Sequence, residues 1–266
     1  MAEGTRTAER VVPDRFATRA QYLVYLRHLF AYEYACKNIN PGDEVLEIGC
    51  GAGYGTALLA QQAGHTVGVD IDADTLRRAR AKYETGKLGF ALYDGSQLPF
   101  AGCAFDAVVS FQVIEHVRDD TGHVAEAFRV LKPGGVFIVT TPNRVYRLRP
   151  GQKPWNRFHV REYDAAGLEA VLGRSFKEPA VQGISGNEEI QELERRRVAW
   201  ALKTGPVPVL RRALPDPVRA AIGDILHLFQ KPQDEEDFLT RYSQGDFHVV
   251  TDNIQDSLDL LAVCRK

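Results

Sequence analysis

The 266-residue chain has few cysteines, almost no net charge and no long apolar run. Its four cysteines lie far apart and form no C-x-x-C pair, which argues against a zinc site and a disulfide framework. The formal charge of −2 at pH 7 gives no general attraction to nucleic acid or to an anionic membrane. No segment has the roughly 20 apolar residues of a membrane-spanning helix, and the first residues are charged where a signal peptide is apolar. We therefore expect a cytoplasmic protein with no membrane span, no nucleic-acid partner and no metal ion.

The sequence does contain a regular alternation of short apolar runs and helical patterns. The apolar runs lie at 44–48, 66–70, 88–93, 105–111 and 136–141, and the helical patterns between them at 54–62, 73–83 and 121–131. Strands separated by single helices predict an α/β fold with a parallel sheet that is covered on both faces. We expect one domain over 1–266, with an N-terminal helical cap at 14–38, a helical insertion at 187–244, and strands near 180–184 and at 257–265.

A glycine-rich loop follows the first apolar run. Gly49, Gly51, Gly53 and Gly55 alternate with other residues directly before a helical pattern. Glycines let the backbone turn sharply and approach a ligand, and the N–H groups that begin a helix favour a carboxylate or phosphate. The G-x-G-x-x-G spacing of dinucleotide sites is absent, because the third glycine position falls on Tyr54 or Thr56. We expect a nucleotide-like ligand, and the spacing disfavours a nicotinamide-dependent oxidoreductase.

Acidic residues follow the next two apolar runs. Asp70 ends the second run, where its carboxylate could accept hydrogen bonds from two ribose hydroxyls. Asp72 is predicted to cap the following helix. After the third run, Asp94 could accept from an adenine amino group while the N–H of Gly95 faces a ring nitrogen; a simple turn is the alternative.

Taken together, these segments make residues 45–143 resemble the class I S-adenosylmethionine (SAM)-dependent methyltransferases of the methyltransferase type 11 kind. The resemblance extends to the strand-four ending at Glu115, His116 and Val117. It implies a Rossmann-like, seven-stranded, mostly parallel sheet whose last strand is antiparallel, with the insertion before that strand. It also implies that SAM is the cofactor, bound by Glu47, Gly49, Cys50, Gly51, Gly53, Tyr54, Asp70, Ile71, Asp94, Gly95, Phe111 and Gln112.

Three segments, two of them outside this core, are similar to a bacterial subgroup found with polysaccharide and glycolipid biosynthesis. They are residues 9–13, 50–55 and 158–163, although Gln112 stands where many relatives have glutamate. This resemblance implies a small-molecule acceptor, with a sugar or glycolipid hydroxyl favoured over a quinone-type or secondary-metabolite phenol. A non-catalytic SAM-binding module is the alternative of another class.

Two histidines are candidates for proton removal from an acceptor hydroxyl. His116 follows the fourth strand and is the first candidate; His159, in the loop after the fifth strand, is the second. A purely structural role is the alternative for each. Five arginines and Lys153 lie within 144–161 without an acid, so this loop either binds an anionic, sugar-linked acceptor or is simply solvated. Leu226, Leu228 and Phe229 of the insertion are expected to line an acceptor pocket or a homodimer contact.

Overall fold

Eight strands form one sheet in the computed structural model, which describes residues 16, 18–154, 156, 158–204 and 238–266. The strand order is β3-β2-β1-β4-β5-β8-β6-β7. Strands β1 to β5 run parallel to one another, whereas β8 is antiparallel to β5 and β6, and β7 is antiparallel to β6. The strands are β1 (Glu44–Ile48), β2 (His65–Asp70), β3 (Leu88–Leu92), β4 (Phe105–Phe111), β5 (Leu131–Pro142), β6 (Ala180–Gly186), β7 (Phe247–Val250) and β8 (Asp259–Arg265).

The described residues also form helices before and between these strands. They are α1 (Arg19–Cys36), α2 (Tyr54–Gln62), α3 (Ala73–Tyr83), α4 (Asp120–Val130), α5 (Arg144–Arg147), α6 (Ala165–Leu172), α7 (Glu188–Thr204) and α8 (Phe238–Arg241), with short 3-10 turns at Ile114–His116, Gln244–Asp246 and Ile254–Asp256. Asp72 accepts a hydrogen bond from the N–H of Thr75 and so caps α3, as the sequence predicts. None of the described helices combines the length and apolar character needed to cross a bilayer.

Alternate residues of the central strands pack on opposite faces of the sheet. Val45 and Val109 belong to the apolar cluster that also contains residues of α1 and α2. Leu46 and Val108 belong to the cluster that contains residues of α4 and α6. The predicted parallel sheet with helices on both faces is therefore confirmed.

The predicted strand count of seven is wrong, because β7 adds an eighth strand at the edge beside β6. Only four residues form β7, too few for a periodic pattern to be recognised between two turn-like segments. The strand lies just beyond the predicted insertion. The insertion itself is described only through α7 and α8, and Leu226, Leu228 and Phe229 lie outside the described residues, as does the stretch 9–13.

The strand register brings three loops to the same edge of the sheet. Ile48 of β1 lies beside Val69 of β2, and Glu47 lies beside Val109 of β4. Parallel strands present their carboxyl ends at one edge, which is where open α/β sheets bind ligands. The glycine loop, Asp70 and the residues after Phe111 therefore meet there.

Gly55 gives the aromatic ring of Tyr32 on α1 room to pack against α2. A Cβ atom at Gly55 would lie 1.8 Å from Cζ of Tyr32, so Gly55→Ala should lower the free energy of unfolding by about 1 to 3 kcal/mol in chemical denaturation. Gly86→Ala is the matched control, because a Cβ atom there would meet nothing within 4 Å. Equal stability of the two variants would contradict this packing of α1.

Candidate active site

The glycine loop leaves β1 with three glycines in the left-handed backbone region. Their φ angles are +80° at Gly49, +50° at Gly51 and +80° at Gly53. The N–H groups of Gly49 and Cys50 donate to the carbonyl oxygen of Val69. A Cβ atom at Gly51 would meet no atom within 4 Å, so the loop has an open face at this position. That opening fits the close approach of a ligand to the backbone.

Asp70 holds the loop from the end of β2. Its Oδ2 accepts the N–H of Gly51 at 2.9 Å, and its Oδ1 accepts the N–H of Asp72 at 2.9 Å. The residue is 8% exposed. A carboxylate has about four lone-pair positions, so one such group can accept hydrogen bonds both from the backbone and from ligand hydroxyls.

Ile71, Asp94 and Gly95 form the neighbouring part of the edge. Ile71 is 59% exposed, and a Cβ atom built on Gly95 would lie 3.4 Å from its Cγ2. Asp94 is exposed, and its Oδ1 accepts from the N–H and hydroxyl of Ser96 and from the N–H of Gln97. These hydrogen bonds lower the pKa of Asp94, so an acceptor carboxylate lies beside an exposed apolar side chain.

Three of the predicted cofactor residues make their side-chain contacts inside the protein. Both carboxylate oxygens of Glu47 accept hydrogen bonds, from Tyr32 at 2.5 Å and from Thr56 at 2.6 Å. Cys50 is buried with residues of α3 and β3, and Tyr54 contacts His28 through its hydroxyl at 3.3 Å. Any contact of Glu47 and Cys50 with a ligand in this arrangement would therefore involve the backbone near them rather than their side chains.

Phe111 and Gln112 lie where β4 ends. The Phe111 ring meets the Tyr32 ring edge-on, with centroids 5.0 Å apart. Gln112 has a φ of +55°, and its Nε2 donates to Oδ2 of Asp259 at 3.2 Å. The same oxygen lies 2.6 Å from Nε of Arg27, and both charged side chains are buried. This network fixes the side chain of Gln112 at the edge.

His116 and His159 lie together, with ring centroids 4.8 Å apart. Nδ1 of His116 lies 3.1 Å from the carbonyl oxygen of Phe158, and Nδ1 of His159 lies 2.8 Å from Oε1 of Glu162. His116 is partly exposed, whereas the side chain of His159 is 1% exposed. The two histidines that the sequence singles out separately therefore form one group.

Glu115 is the third member of this group. It is fully buried, and its Oε2 accepts from the hydroxyl of Thr141 at 3.0 Å. Burial raises the pKa of Glu115 to about 7, against an opposing effect of His159. In the sequence, Glu115 belongs to a motif, and no role of its own is predicted from it.

Several residues of the site carry no recognisable signal in the sequence. Tyr32 and Arg27 lie within an aromatic helical pattern, Thr56 lies within α2, and Asp259 lies in an apolar run. A charged residue within an apolar stripe is the only local hint. Their partners are distant in the chain, so spacing alone could not identify them.

The basic loop at 144–161 is largely neutralised by acids from elsewhere. Arg144 lies 3.6 Å from Asp164, Arg147 lies 3.5 Å from Glu162, and Arg161 pairs with Asp120. Arg149 is exposed, and Arg157 lies outside the described residues. Three of the five arginines that could have formed an anion site are therefore engaged within the protein.

Comparison with known proteins identifies the family. Residues 46–139 match the family described as "Methyltransferase domain". A probable S-adenosylmethionine-dependent methyltransferase of Mycolicibacterium smegmatis is 38% identical over 195 residues, which are 73% of this chain and 72% of the relative. The chain belongs to the SAM-dependent methyltransferases. SAM is therefore the cofactor of this methyltransferase, and the predicted enzyme class is confirmed.

Two further similarities are to an O-methyltransferase and to a solved structure. A fatty-acid O-methyltransferase of the same species is 30% identical over 62% of this methyltransferase and 60% of the relative. The crystal structure of a SAM-dependent methyltransferase from Mesorhizobium loti superposes with a TM-score of 0.51 at 16% identity, covering 89% of this chain and 98% of that one. The second similarity supports the Rossmann-like fold.

The pKa of Glu47 should make stability depend on pH. Burial raises this pKa from 4.5 to about 7, although the hydrogen bonds from Thr56 and Tyr32 lower it. A carboxyl group with a raised folded-state pKa stabilises the fold below its unfolded-state pKa, and this contribution is lost as pH rises through the folded-state pKa.

We expect that, between pH 4.5 and pH 7, wild type loses up to about 3 kcal/mol more unfolding free energy than Glu47→Gln does. Denaturant titrations across this pH range measure the difference. The exposed Glu169→Gln variant is the control and should follow wild type. If the difference in unfolding free energy between wild type and Glu47→Gln does not change with pH, the pKa of Glu47 is not raised.

Proposed function

We propose that this methyltransferase transfers the methyl group of SAM to a hydroxyl oxygen of a small molecule, with a sugar or glycolipid as the favoured acceptor. The observation that carries the proposal is the group formed by Glu115, His116 and His159. It lies after β4 and β5, at the sheet edge that also carries the glycine loop. SAM supplies an electrophilic methyl group on a sulfonium, so the protein must position the acceptor and allow its proton to leave.

The residues at the edge fit an amino-acid nucleoside. The open face above Gly51 would accept the cofactor's close approach, and Asp70 would accept hydrogen bonds from ribose hydroxyls. The exposed side chain of Ile71 would pack against the adenine, with Asp94 and Gly95 at its rim. Gly49, Gly53 and the N-terminus of α2, which has no side-chain cap, would complete the crevice next to Phe111 and Gln112.

Glu47, Cys50 and Tyr54 would support the cofactor indirectly. Glu47 joins α1 to α2 through Tyr32 and Thr56, which fixes the helix that begins at Tyr54. Cys50 anchors the loop among apolar side chains. We therefore assign these three residues to positioning of the loop.

His116 is the candidate general base that removes the proton from the hydroxyl group to be methylated. A carbonyl oxygen can only accept, so the contact with Phe158 requires a proton on Nδ1 of His116. In the neutral ring this leaves the lone pair on Nε2, the form that a general base needs. The more buried His159 would act through its contact with His116.

This arrangement favours a hydroxyl over a carboxylate as the acceptor. A fatty-acid carboxylate is already ionised near neutral pH and needs no group to remove a proton. An alcohol does need one, because it is a poor nucleophile while protonated. The relative named as a fatty-acid O-methyltransferase supports oxygen as the methylated atom, and the histidine group favours a hydroxyl.

Asp70→Ala should weaken SAM binding by about 2 kcal/mol, or about 30-fold in Kd, because charge-assisted hydrogen bonds to the ribose and to Gly51 are lost. Isothermal titration with S-adenosylhomocysteine measures the change. Asp72→Ala is the matched control: it removes the cap of α3, which should cost about 1 kcal/mol of stability and leave Kd nearly unchanged. A Kd that is equal in the two variants would rule out Asp70 as the ribose anchor.

The acceptor class can be tested with labelled SAM and three probes: an alkyl hexoside, a long-chain fatty acid and a catechol. We expect label in the hexoside, and a loss of at least about 100-fold in turnover for His116→Ala with unchanged S-adenosylhomocysteine binding. The control is His65→Ala, which removes a histidine that pairs with Glu44 away from the site. Transfer to the catechol alone would indicate the phenol class. Transfer to the fatty acid alone would contradict the hydroxyl proposal, and cofactor binding without transfer to any probe would favour a SAM-binding module.

A further inference from the structure

Glu115, His116 and His159 bring three metal-ligating side chains into one small volume. One donor atom from each lies within 4.8 Å of the other two. We propose that these three residues bind one divalent transition-metal ion. The cysteine spacing, which argues against a zinc site, bears only on thiolate ligands and does not concern this group of residues.

The carboxylate of Glu115 supplies the strongest argument. Glu115 is 0% exposed, and its Oε1 has no hydrogen-bond partner among the described residues, while Oε2 is held by Thr141. No lysine or arginine of the described residues forms an ion pair with Glu115. A buried carboxylate oxygen without a partner is costly, and a bound cation would satisfy it.

The backbone brings the second histidine to this carboxylate. The carbonyl oxygen of Glu115 accepts the N–H of Val160 at 2.8 Å and that of Arg161 at 3.4 Å. These bonds tie the loop after β5 to the turn after β4. His159 is therefore held beside Glu115 and His116 by main-chain contacts and does not depend on the ion for its position.

Each histidine has an oxygen on its Nδ1. The carbonyl oxygen of Phe158 lies against His116, and Oε1 of Glu162 lies against His159. Metal-binding histidines have this second contact almost always, because it fixes the tautomer and aims the lone pair of the other nitrogen. With Nδ1 held in this way, Nε2 would be the ligand atom of each ring in the proposed site.

The donor set indicates the class of metal. Imidazole and carboxylate ligands suit Zn²⁺, Mn²⁺, Fe²⁺ or Co²⁺, whereas Mg²⁺ and Ca²⁺ prefer sites made of oxygen. Donor atoms about 2.1 Å from one ion lie about 3 to 3.5 Å apart, so shifts of about an ångström in the side chains complete the site. Three protein ligands leave further positions for water or an acceptor oxygen.

The use of the ion in catalysis rests on the proposed function. A cation at this edge would lower the pKa of an acceptor hydroxyl in contact with it, so that the proton can leave to solvent. The oxygen then bonds to the methyl carbon as the carbon–sulfur bond breaks, and the bonding electron pair remains on sulfur. His116 would in that case hold the ion rather than take the proton.

The test uses the full chain, freed of metal by chelation and titrated with Co²⁺ while the visible spectrum is recorded. We expect one equivalent to bind with d–d bands typical of nitrogen and oxygen ligands, and Zn²⁺ to displace it. Glu115→Gln and His159→Ala should each raise the Kd for Co²⁺ at least tenfold. His248→Ala, which removes an exposed histidine on β7, should bind as wild type does.

Circular dichroism and S-adenosylhomocysteine binding show whether each variant is folded. If the variants are not folded, the Co²⁺ spectrum of the wild type shows whether the metal site exists. Absence of binding to wild type, a strong thiolate-to-cobalt charge-transfer band, or an unchanged Kd in folded Glu115→Gln would each overturn the proposal. If the protein binds Co²⁺ but methylates none of the three probes, the metal site is supported and only its role in catalysis is removed. Full activity in chelator, together with no Co²⁺ binding, would remove the metal site and leave the methyl-transfer proposal intact.

Discussion

The carboxylate of Asp70 ties the end of β2 to the loop that follows β1, and the proposed SAM site depends on this contact. One oxygen accepts the N–H of Gly51 and the other accepts the N–H of Asp72. Gly51 has a φ of +50° and no side chain to anchor it, so the hydrogen bond to Asp70 helps to hold it in the turn. A loop fixed in this way keeps its open face toward the crevice and starts α2 at a defined place.

Buried charges impose a second constraint on the same edge. Arg27 of α1 and Asp259 of β8 form an ion pair inside the protein, and Asp259 also accepts from Gln112. Burying two charges is costly even when they are paired, so such a pair contributes less to stability than to the position of its partners. Here it joins elements from the two ends of the described chain to the end of β4. The N-terminal helix is thereby held against the site.

The parts of the structure that could be predicted from the sequence have local causes. The apolar periodicity of the strands and helices, the glycine loop and the cap at Asp72 are each determined by a few consecutive residues. The pairs that shape the site are not local: Tyr32 with Glu47, and Arg27 with Asp259, join separate segments. Strand β7 is too short to carry a pattern. The basic loop shows the same limit, because its charges gave no sign that Asp164, Glu162 and Asp120 would pair with them.

We propose that the backbone at Gly49, Gly51 and Gly53, held by Asp70, binds SAM. The most direct measurement is a titration of the ¹⁵N-labelled protein with S-adenosylhomocysteine, followed through the backbone amide resonances. We expect one saturable site, with the largest shifts at these three glycines and at Asp70. Saturable binding that leaves the loop amides unchanged and shifts resonances elsewhere would contradict it.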